Sequence, residues 1–172
     1  RWRQRLIRPL SSDFEYKQLA IIEYWLFEKY FRKASSIYEF GCGTGHNLLR
    51  VRELNPSATL YGLDWTAASQ HILEKLGAFG IDSNIRGYQF DLFNPNHEII
   101  LEKDCMVFTV AALEQLGDQF VAFLDYLMKN KPRLCVHIEP FTELLDENHF
   151  LDYLAIEYFK KRNYISGFVS HL

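Results

Sequence analysis

Hydrophobic and polar positions follow two alternating periods along this chain. Short, nearly continuous apolar runs bounded by Gly, Pro, Asn or Asp predict β-strands. These predicted strands are 36–40, 59–63, 85–90, 105–110 and 134–138. Between them, apolar residues recur every three or four positions, which predicts helices. These predicted helices are 47–54, 66–77, 118–127 and 147–161, with a short helical turn at 113–116.

One more helix is predicted ahead of the first strand. Ser12 and Glu15 have the spacing of a capping box, and apolar residues keep helical spacing from there to about Lys33. The resulting order is a helix followed by rounds of strand and helix. Such alternation predicts a parallel sheet with helices on both faces, a Rossmann-like three-layer α/β sandwich. Ligands of such sheets bind beyond the carboxyl ends of the strands, so the residues after each strand are the functional candidates.

Composition narrows the classes of protein. A length of 172 residues suits one domain. The net charge of −3 disfavours a nucleic-acid-binding function. Near the start of the chain there is a cluster of basic residues, Arg1, Arg3, Arg5 and Arg8, which is more typical of a solvated chain end than of a contact to an anionic partner. Three cysteines without a Cys-x-x-Cys pair indicate reduced thiols and a cytoplasmic protein. No Cys or His set has metal-ligand spacing, and no apolar run approaches the ~18 residues of a membrane span.

A glycine cluster follows the first predicted strand, in the sequence Glu39-Phe40-Gly41-Cys42-Gly43-Thr44-Gly45. Glycines let the backbone turn sharply and let a ligand approach the main chain. The spacing differs from the Gly-x-Gly-x-x-Gly pattern of dinucleotide-binding proteins. A carboxylate at Glu39 disfavours a pyrophosphate and favours a ligand that carries an ammonium group. The loop therefore predicts a ligand site of a different kind from a dinucleotide site.

Acidic residues follow the second and third predicted strands. Asp64 lies 19 residues beyond Gly45 and can accept both hydroxyls of a ribose. The adjacent Trp65 has two interpretations, a ring against a purine face or a core anchor. Asp91 can accept from the exocyclic amine of adenine while the Leu92 amide donates to a ring nitrogen; the alternative is an Asx turn before Pro95.

These motifs, with Ala112-Leu113-Glu114-Gln115-Leu116 after the fourth strand, resemble the class I S-adenosylmethionine-dependent methyltransferases over about residues 36–140. The resemblance implies S-adenosylmethionine as the cofactor. It implies that Gly41, Gly43 and Gly45 cradle the methionine part and that Glu39 lies near the ammonium. On the nucleoside side it implies Asp64 at the ribose and both Asp91 and Leu92 at adenine. Val110 and Ala111 would pass beneath the donor methyl.

The chemistry of a sulfonium donor requires little from the protein besides alignment of the acceptor. A hydroxyl acceptor also requires a base, for which the candidates are His46, His137, Glu139 and Glu114. Glu139 is slightly favoured because it lies nearer than His137 to the carboxyl end of the fifth strand; each candidate also has a purely structural interpretation. Tyr16 and Lys17 are candidates for a lid over the cofactor, with helix packing as the alternative.

The acceptor is predicted by elimination. The chain lacks the Asn-Pro-Pro-aromatic, Asp-Pro-Pro-aromatic and Pro-Cys sequences that mark methylation of nucleic-acid bases. A small molecule methylated on oxygen or nitrogen is therefore expected. Aromatic residues of the last helix either shape the acceptor side or pack in the core; they are Phe150, Tyr153, Tyr158 and Phe159. Two alternatives stay open: a catalytically silent S-adenosylmethionine-binding module that acts by protein association, and an NAD-binding oxidoreductase, which Glu39 and the glycine spacing disfavour.

The ends of the chain carry a last expectation. The predicted organisation is a helical cap at 1–34, a cofactor-binding core at 35–140 and a C-terminal helix and tail at 141–172. Methyltransferases of this class finish the sheet with an antiparallel hairpin, but only nine residues follow the predicted last helix and its Asn163. We therefore expect five strands and one unprotected sheet edge. Association of copies through that edge, a swapped segment and missing C-terminal sequence are the alternatives for covering it.

Overall fold

The predicted strands form one sheet in a computed structural model, which describes residues 4–172. They are β1 (Ser36–Phe40), β2 (Thr59–Asp64), β3 (Ile85–Gln89), β4 (Met106–Val110) and β5 (Leu134–Ile138). All neighbouring strands are parallel, in the order β3-β2-β1-β4-β5. The chain direction across the sheet reverses between β1 and β4, the position at which such sheets bind ligands. The predicted α/β class and strand set are confirmed.

Helices cover both faces of this sheet. The helices are α1 (Phe14–Tyr30), α2 (His46–Leu54), α3 (Ala67–Ala78), α4 (Val121–Asn130), α5 (Phe150–Arg162) and α6 (Phe168–His171), with 3₁₀ turns at Leu113–Leu116 and Thr142–Leu144. Two predicted helix caps are wrong. Asp13, not Ser12, is the N-cap of α1, since its carbonyl accepts the first helical bond from Lys17, and this shift breaks the capping-box spacing. Phe120, not Asp118, precedes α4, because the chain continues the preceding turn as far as Gln119.

The core consists of two apolar layers, one on each face of the sheet. In one layer, Phe40 packs against Phe90 and Phe123 with ring centroids 4.9 and 5.0 Å apart. In the other, Phe108 packs against Phe27 and Phe31 at 5.0 and 5.4 Å. The high aromatic content of the sequence is therefore largely core packing. Residues 106–109 of β4 are buried, which confirms the prediction of a strand enclosed on both faces.

The sequence of the C-terminal tail predicts at most one short strand or turn. The structure instead has a short helix, α6, that packs against the rest of the molecule. Ile165 and Phe168 are fully buried, and the Phe168 ring stacks on Phe141 with centroids 5.2 Å apart. The amides of Ile165 and Ser166 donate to the carbonyls of Glu114 and Gly117, so the tail fixes the 3₁₀ turn after β4. Within residues 4–172, β5 pairs with β4 alone and its outer edge is unpaired, as predicted.

Arg1 and Arg3 lie outside the described residues. Arg5 and Arg8, the other members of the predicted basic cluster, are exposed to solvent. No helix among the described residues is both long and apolar enough to cross a membrane.

Candidate functional site

A cavity of about 460 Å³ opens at the carboxyl ends of the strands. Its volume lies within the range of ~300–1,000 Å³ that is usual for small-molecule sites. The cavity is lined by Gly41, Asp64, Trp65, Phe90, Asp91, Leu92, Phe93, Ala111, Ala112, Gln115 and Leu116. The fold thus brings together residues that follow four different strands. Six of the predicted cofactor-binding residues are in this lining; the other four, Glu39, Gly43, Gly45 and Val110, are not.

The three loop glycines have left-handed backbones for different reasons. Gly41 and Gly45 have φ of 74° and 78°. A Cβ on Gly41 would lie 2.3 Å from the Ala112 side chain, and a Cβ on Gly45 would lie 2.5 Å from the Leu73 side chain. These two glycines are required by internal packing. Gly43 has φ of 51°, and a Cβ there would meet nothing within 4 Å. Its missing side chain leaves open space beside the loop, as the close approach of a ligand requires.

Asp64 connects the end of β2 to this loop. Its Oδ2 accepts from the Gly43 amide at 2.9 Å, and its Oδ1 accepts from the Thr66 amide at 2.9 Å. Burial raises the pKa of Asp64, but the hydrogen bonds from Thr66 and Gly43 outweigh it and hold the pKa below its ordinary value. The ionised carboxylate retains lone pairs for further donors, and it lines the cavity. Asp64 therefore presents acceptors to a ligand hydroxyl.

Aromatic rings line the cavity on the side of β2 and β3. The Trp65 side chain is 74% exposed, so it is not a core anchor. Phe93 also lines the cavity and was missed by sequence reasoning; its amide donates to Asp91 Oδ1 at 2.9 Å. Asp91 thus forms the Asx turn that the sequence left open, and its carboxylate still borders the cavity. Apolar rings beside carboxylates suit a planar heterocycle with polar edges.

The cavity wall after β4 is held in an unusual conformation. Ala111 has φ of 49°, and its amide donates to the Ile138 carbonyl at 3.0 Å. The Glu139 carboxylate accepts from the amides of Ala112 and Glu114 at 3.0 and 3.2 Å. A left-handed backbone at a residue other than glycine persists only where its surroundings fix it. The hydrogen bonds from the wall to Glu139, and those from the C-terminal tail to the following turn, hold this backbone in place.

The predicted catalytic residues lie outside the cavity lining. Glu139 is engaged by the wall amides as described, and burial raises its pKa. His137 Nδ1 lies 3.0 Å from Thr109 Oγ1, and burial lowers the pKa of His137 to about 4, so its ring is neutral near pH 7. His46 is the exposed first residue of α2, and partial burial lowers its pKa. Glu114 is half-buried, and burial raises its pKa. A catalytic role for any of them stays a prediction.

Glu39 lies behind the glycine loop and is fully buried. Asn47 Nδ2 donates to its Oε1 at 2.8 Å, while its Oε2 has no hydrogen-bond partner among the described residues. Burial is the main reason that the pKa of Glu39 rises to about 8, against the opposing effect of Asn47. An unsatisfied buried carboxylate oxygen is rare in folded proteins, and it fits the predicted role of accepting from an ammonium group.

This pKa shift predicts a pH dependence of stability. Because folding favours the protonated form of Glu39, the contribution of this group is fully present below its unfolded pKa and is lost as pH rises through its folded pKa of about 8. Relative to a Glu39→Gln variant, the ligand-free protein should therefore lose stability between roughly pH 5 and pH 8. Thermal unfolding of both proteins across this range tests the prediction. Profiles of stability against pH that run parallel in the two proteins would contradict the prediction. The contribution of His137 to this pH dependence is present in both proteins and cancels in the comparison.

The two lid candidates lie at the start of α1. The Tyr16 hydroxyl accepts from Arg50 Nη2 at 2.5 Å, and Lys17 pairs with Asp13 at 2.9 Å. Neither residue lines the cavity. In α5, Phe150, Tyr153 and Tyr158 are exposed and Phe159 is partly buried. The described residues contain no group of three or more Cys, His, Asp and Glu side chains arranged to hold a metal ion.

Comparisons with known proteins give matches at the level of structure. No protein-family model matches the chain, and no curated protein does. The apo structure of the S-adenosylmethionine-dependent methyltransferase SibL matches with a TM-score of 0.60 and 15% identity, over 92% of this chain and 49% of SibL. The plantazolicin methyltransferase BpumL, in complex with a monoazolic desmethylPZN analog and SAH, matches with a TM-score of 0.57 and 17% identity, over 90% of this chain and 62% of BpumL.

A third structure, PigF with SAH, matches with a TM-score of 0.54 and 17% identity over 68% of this chain and 35% of PigF. The chain thus spans about half the length of SibL and less than two thirds of BpumL. At these identities the comparisons establish the fold: the chain has the fold of the class I S-adenosylmethionine-dependent methyltransferases.

Proposed function

We propose that this protein is an S-adenosylmethionine-dependent methyltransferase that acts on an oxygen or nitrogen of a small molecule. The observation that carries the proposal is the pairing of Asp64 with Gly43. An ionised carboxylate at the cavity accepts from the amide of a loop glycine whose open side leaves room for a ligand. This arrangement lies at the carboxyl ends of β1 and β2, next to the reversal of strand order between β1 and β4, in a methyltransferase fold.

The residues at the site fit the two halves of S-adenosylmethionine. Asp64 would accept the ribose hydroxyls, while Asp91 and the Leu92 amide would bind the adenine edge and Trp65 its face. Gly41, Gly43 and Gly45 would shape the methionine side, with Glu39 Oε2 as an acceptor for its ammonium. Val110 and Ala111 would form the floor near the methyl group. When bound, the cofactor supplies a methyl group on a positively charged sulfur, which makes the methyl electrophilic.

The chain itself would align the acceptor and exclude water. Glu139 would position the wall at Ala112, and the tail would support the same wall from its other side. For a hydroxyl acceptor, a base is also required, and the candidates are Glu139, His137, His46 and Glu114. A neutral His137 can accept a proton near pH 7, because its pKa is about 4, but it is a weak base for the same reason.

The domain organisation follows the same proposal. Residues 35–140 would bind the cofactor, with 1–34 as a helical cap and 141–172 as a supporting helix and tail. The three cysteines are free thiols, which fits the reducing cytoplasm.

Transfer of labelled methyl from S-adenosylmethionine into a mixture of cell metabolites tests the activity. The proposal predicts a labelled small molecule that depends on the protein and is lost in an Asp64→Asn variant. The second candidate function, a silent cofactor-binding module, predicts cofactor binding without transfer to any metabolite. Its supporting observation is that none of the four candidate bases lines the cavity.

We further propose that copies of the chain associate through the open edge of β5. This edge offers backbone groups without a strand partner in residues 4–172, and its residues, Leu134–Ile138, include no charged Lys, Arg, Asp or Glu to guard it. Sedimentation across a concentration series is expected to show a reversible dimer. A single monomeric species at all concentrations would refute the association.

A further inference from the structure

A second buried carboxylate oxygen is unsatisfied near Glu39. Glu23 of α1 is 1% exposed, and its Oε1 has no hydrogen-bond partner among the described residues. Its other oxygen accepts from Arg50 Nη1. Buried acidic groups are normally fully hydrogen-bonded, because an unpaired oxygen carries the full cost of its desolvation. Two such oxygens in one region of the molecule require an explanation.

Hydrogen bonds connect the two carboxylates into a single cluster. Asn47 donates to Glu39 at 2.8 Å and accepts from Arg50 at 3.1 Å, and Arg50 in turn donates to Glu23. Two carboxylates therefore share one guanidinium. Burial raises the pKa of both Glu23 and Glu39, and the negative charge of Glu23 raises the pKa of Glu39 further. With both carboxylates ionised, the cluster is short of one positive charge and of N–H donors for two oxygens.

The cluster lies on the methionine side of the proposed cofactor. Glu39 is two residues before Gly41, which lines the cavity, and Asn47 is in the first turn of the helix that follows Gly45. The nucleoside candidates Asp64 and Asp91 follow other strands. A primary ammonium group has three N–H donors and one positive charge, which match what the cluster lacks. Tyr16, whose side chain covers Arg50, is 60% exposed and lies at the outer side.

We propose that Glu23 is a second carboxylate for the ammonium group of the cofactor, so that α1 belongs to the binding site together with β1 and α2. The inference rests on the proposed function. In it, Glu39 and Glu23 each direct one oxygen at the ammonium, and Arg50 balances the remaining negative charge. Helix α1 is then held more firmly when the cofactor is bound.

Calorimetry with two ligands tests this role. S-adenosylhomocysteine carries the ammonium group, whereas 5′-methylthioadenosine lacks the amino-acid part. A Glu23→Gln variant should bind S-adenosylhomocysteine roughly 10- to 100-fold more weakly, as expected for loss of a charge-assisted hydrogen bond. Its affinity for 5′-methylthioadenosine should be unchanged. Glu28→Gln on the same helix, where Glu28 pairs with Arg32 at the surface, is the matched control and should alter neither affinity.

Unchanged affinity for S-adenosylhomocysteine in Glu23→Gln, or equal losses for both ligands, would overturn the proposal. If Glu23→Gln does not fold, Glu23→Asp keeps the charge beside Arg50 and withdraws the carboxylate by one methylene. That variant should show a smaller loss restricted to S-adenosylhomocysteine, and no loss would again overturn the proposal. Failure of the proposed function gives a different result, since wild-type protein would then bind neither ligand.

Discussion

An Asp64→Asn variant is expected to lose S-adenosylhomocysteine binding by at least about 100-fold, as for a removed charged acceptor whose neighbours are left unpaired. Asp64 accepts from Gly43 with one oxygen and from Thr66 with the other. In the variant, the NH₂ group of asparagine would face the N–H donor of either Gly43 or Thr66, and two donors cannot form a hydrogen bond with each other. The substitution therefore removes the acceptor for the ribose and also loosens the loop beside it.

Titration calorimetry of folded Asp64→Asn protein measures this loss. Asp125→Asn, at an exposed position of α4, makes the same chemical change away from the cavity and should bind like the wild type. Equal affinity of Asp64→Asn and Asp125→Asn would show that the cavity carboxylate is not the ribose acceptor.

A Gly43→Ala variant is expected to lose most cofactor affinity while the protein remains folded. The added methyl would project into the open space beside the loop, where nothing lies within 4 Å. An L-residue in the left-handed region costs about 1–2 kcal/mol of stability wherever it occurs. The loss of binding arises from a different cause, since the methyl would occupy the space that the cofactor requires.

Gly80→Ala separates these two causes. Gly80 has φ of 70° and equally open surroundings, but it lies in the loop after α3, whereas the Gly43 amide donates to the cavity-lining Asp64. Both variants should therefore show similar losses in the free energy of unfolding, measured by urea denaturation. Only Gly43→Ala should lose affinity for S-adenosylhomocysteine. We expect a loss of about tenfold or more, because the added methyl group would displace the ligand from its close contact with the loop. Equal affinities of the two variants would contradict a ligand at Gly43.

Much of the fold was predictable because its signals are local. The bounds of β1 and β5 are as predicted, since each is a short, mainly apolar run that ends just before Gly41 or shortly before Pro140. Helix starts were less predictable. Before α1, Ser11, Ser12 and Asp13 are adjacent residues of similar capping ability. Before α4, the preceding turn continues as far as Gln119, which delays the start of the helix.

The site was predictable where it follows strands and unpredictable where it depends on packing between distant segments. Asp64 and Gly41 occupy positions that strand-end reasoning identifies directly. Phe93 lines the cavity from an irregular segment, whose direction no periodic pattern determines. The contact of Glu139 with the wall depends on the register of β5 beside β4, where Val110 pairs with Ile138.

The buried cluster behind the loop could not be found by pattern at all. Glu23 is a charged residue in the middle of α1, where the sequence alone predicts exposure to solvent. Arg50 lies in the middle of α2. Only the packing of α1 on α2 joins them, with both side chains almost removed from solvent. In our proposal, this cluster extends the site beyond the class I motifs.

Calorimetric titration of the wild-type protein with S-adenosylhomocysteine is the decisive test of cofactor binding. We expect saturable binding at one site per chain, retained in Asp125→Asn and Gly80→Ala and lost in Asp64→Asn and Gly43→Ala. Folded wild-type protein that binds neither S-adenosylhomocysteine nor S-adenosylmethionine would show that the cavity is not a cofactor site.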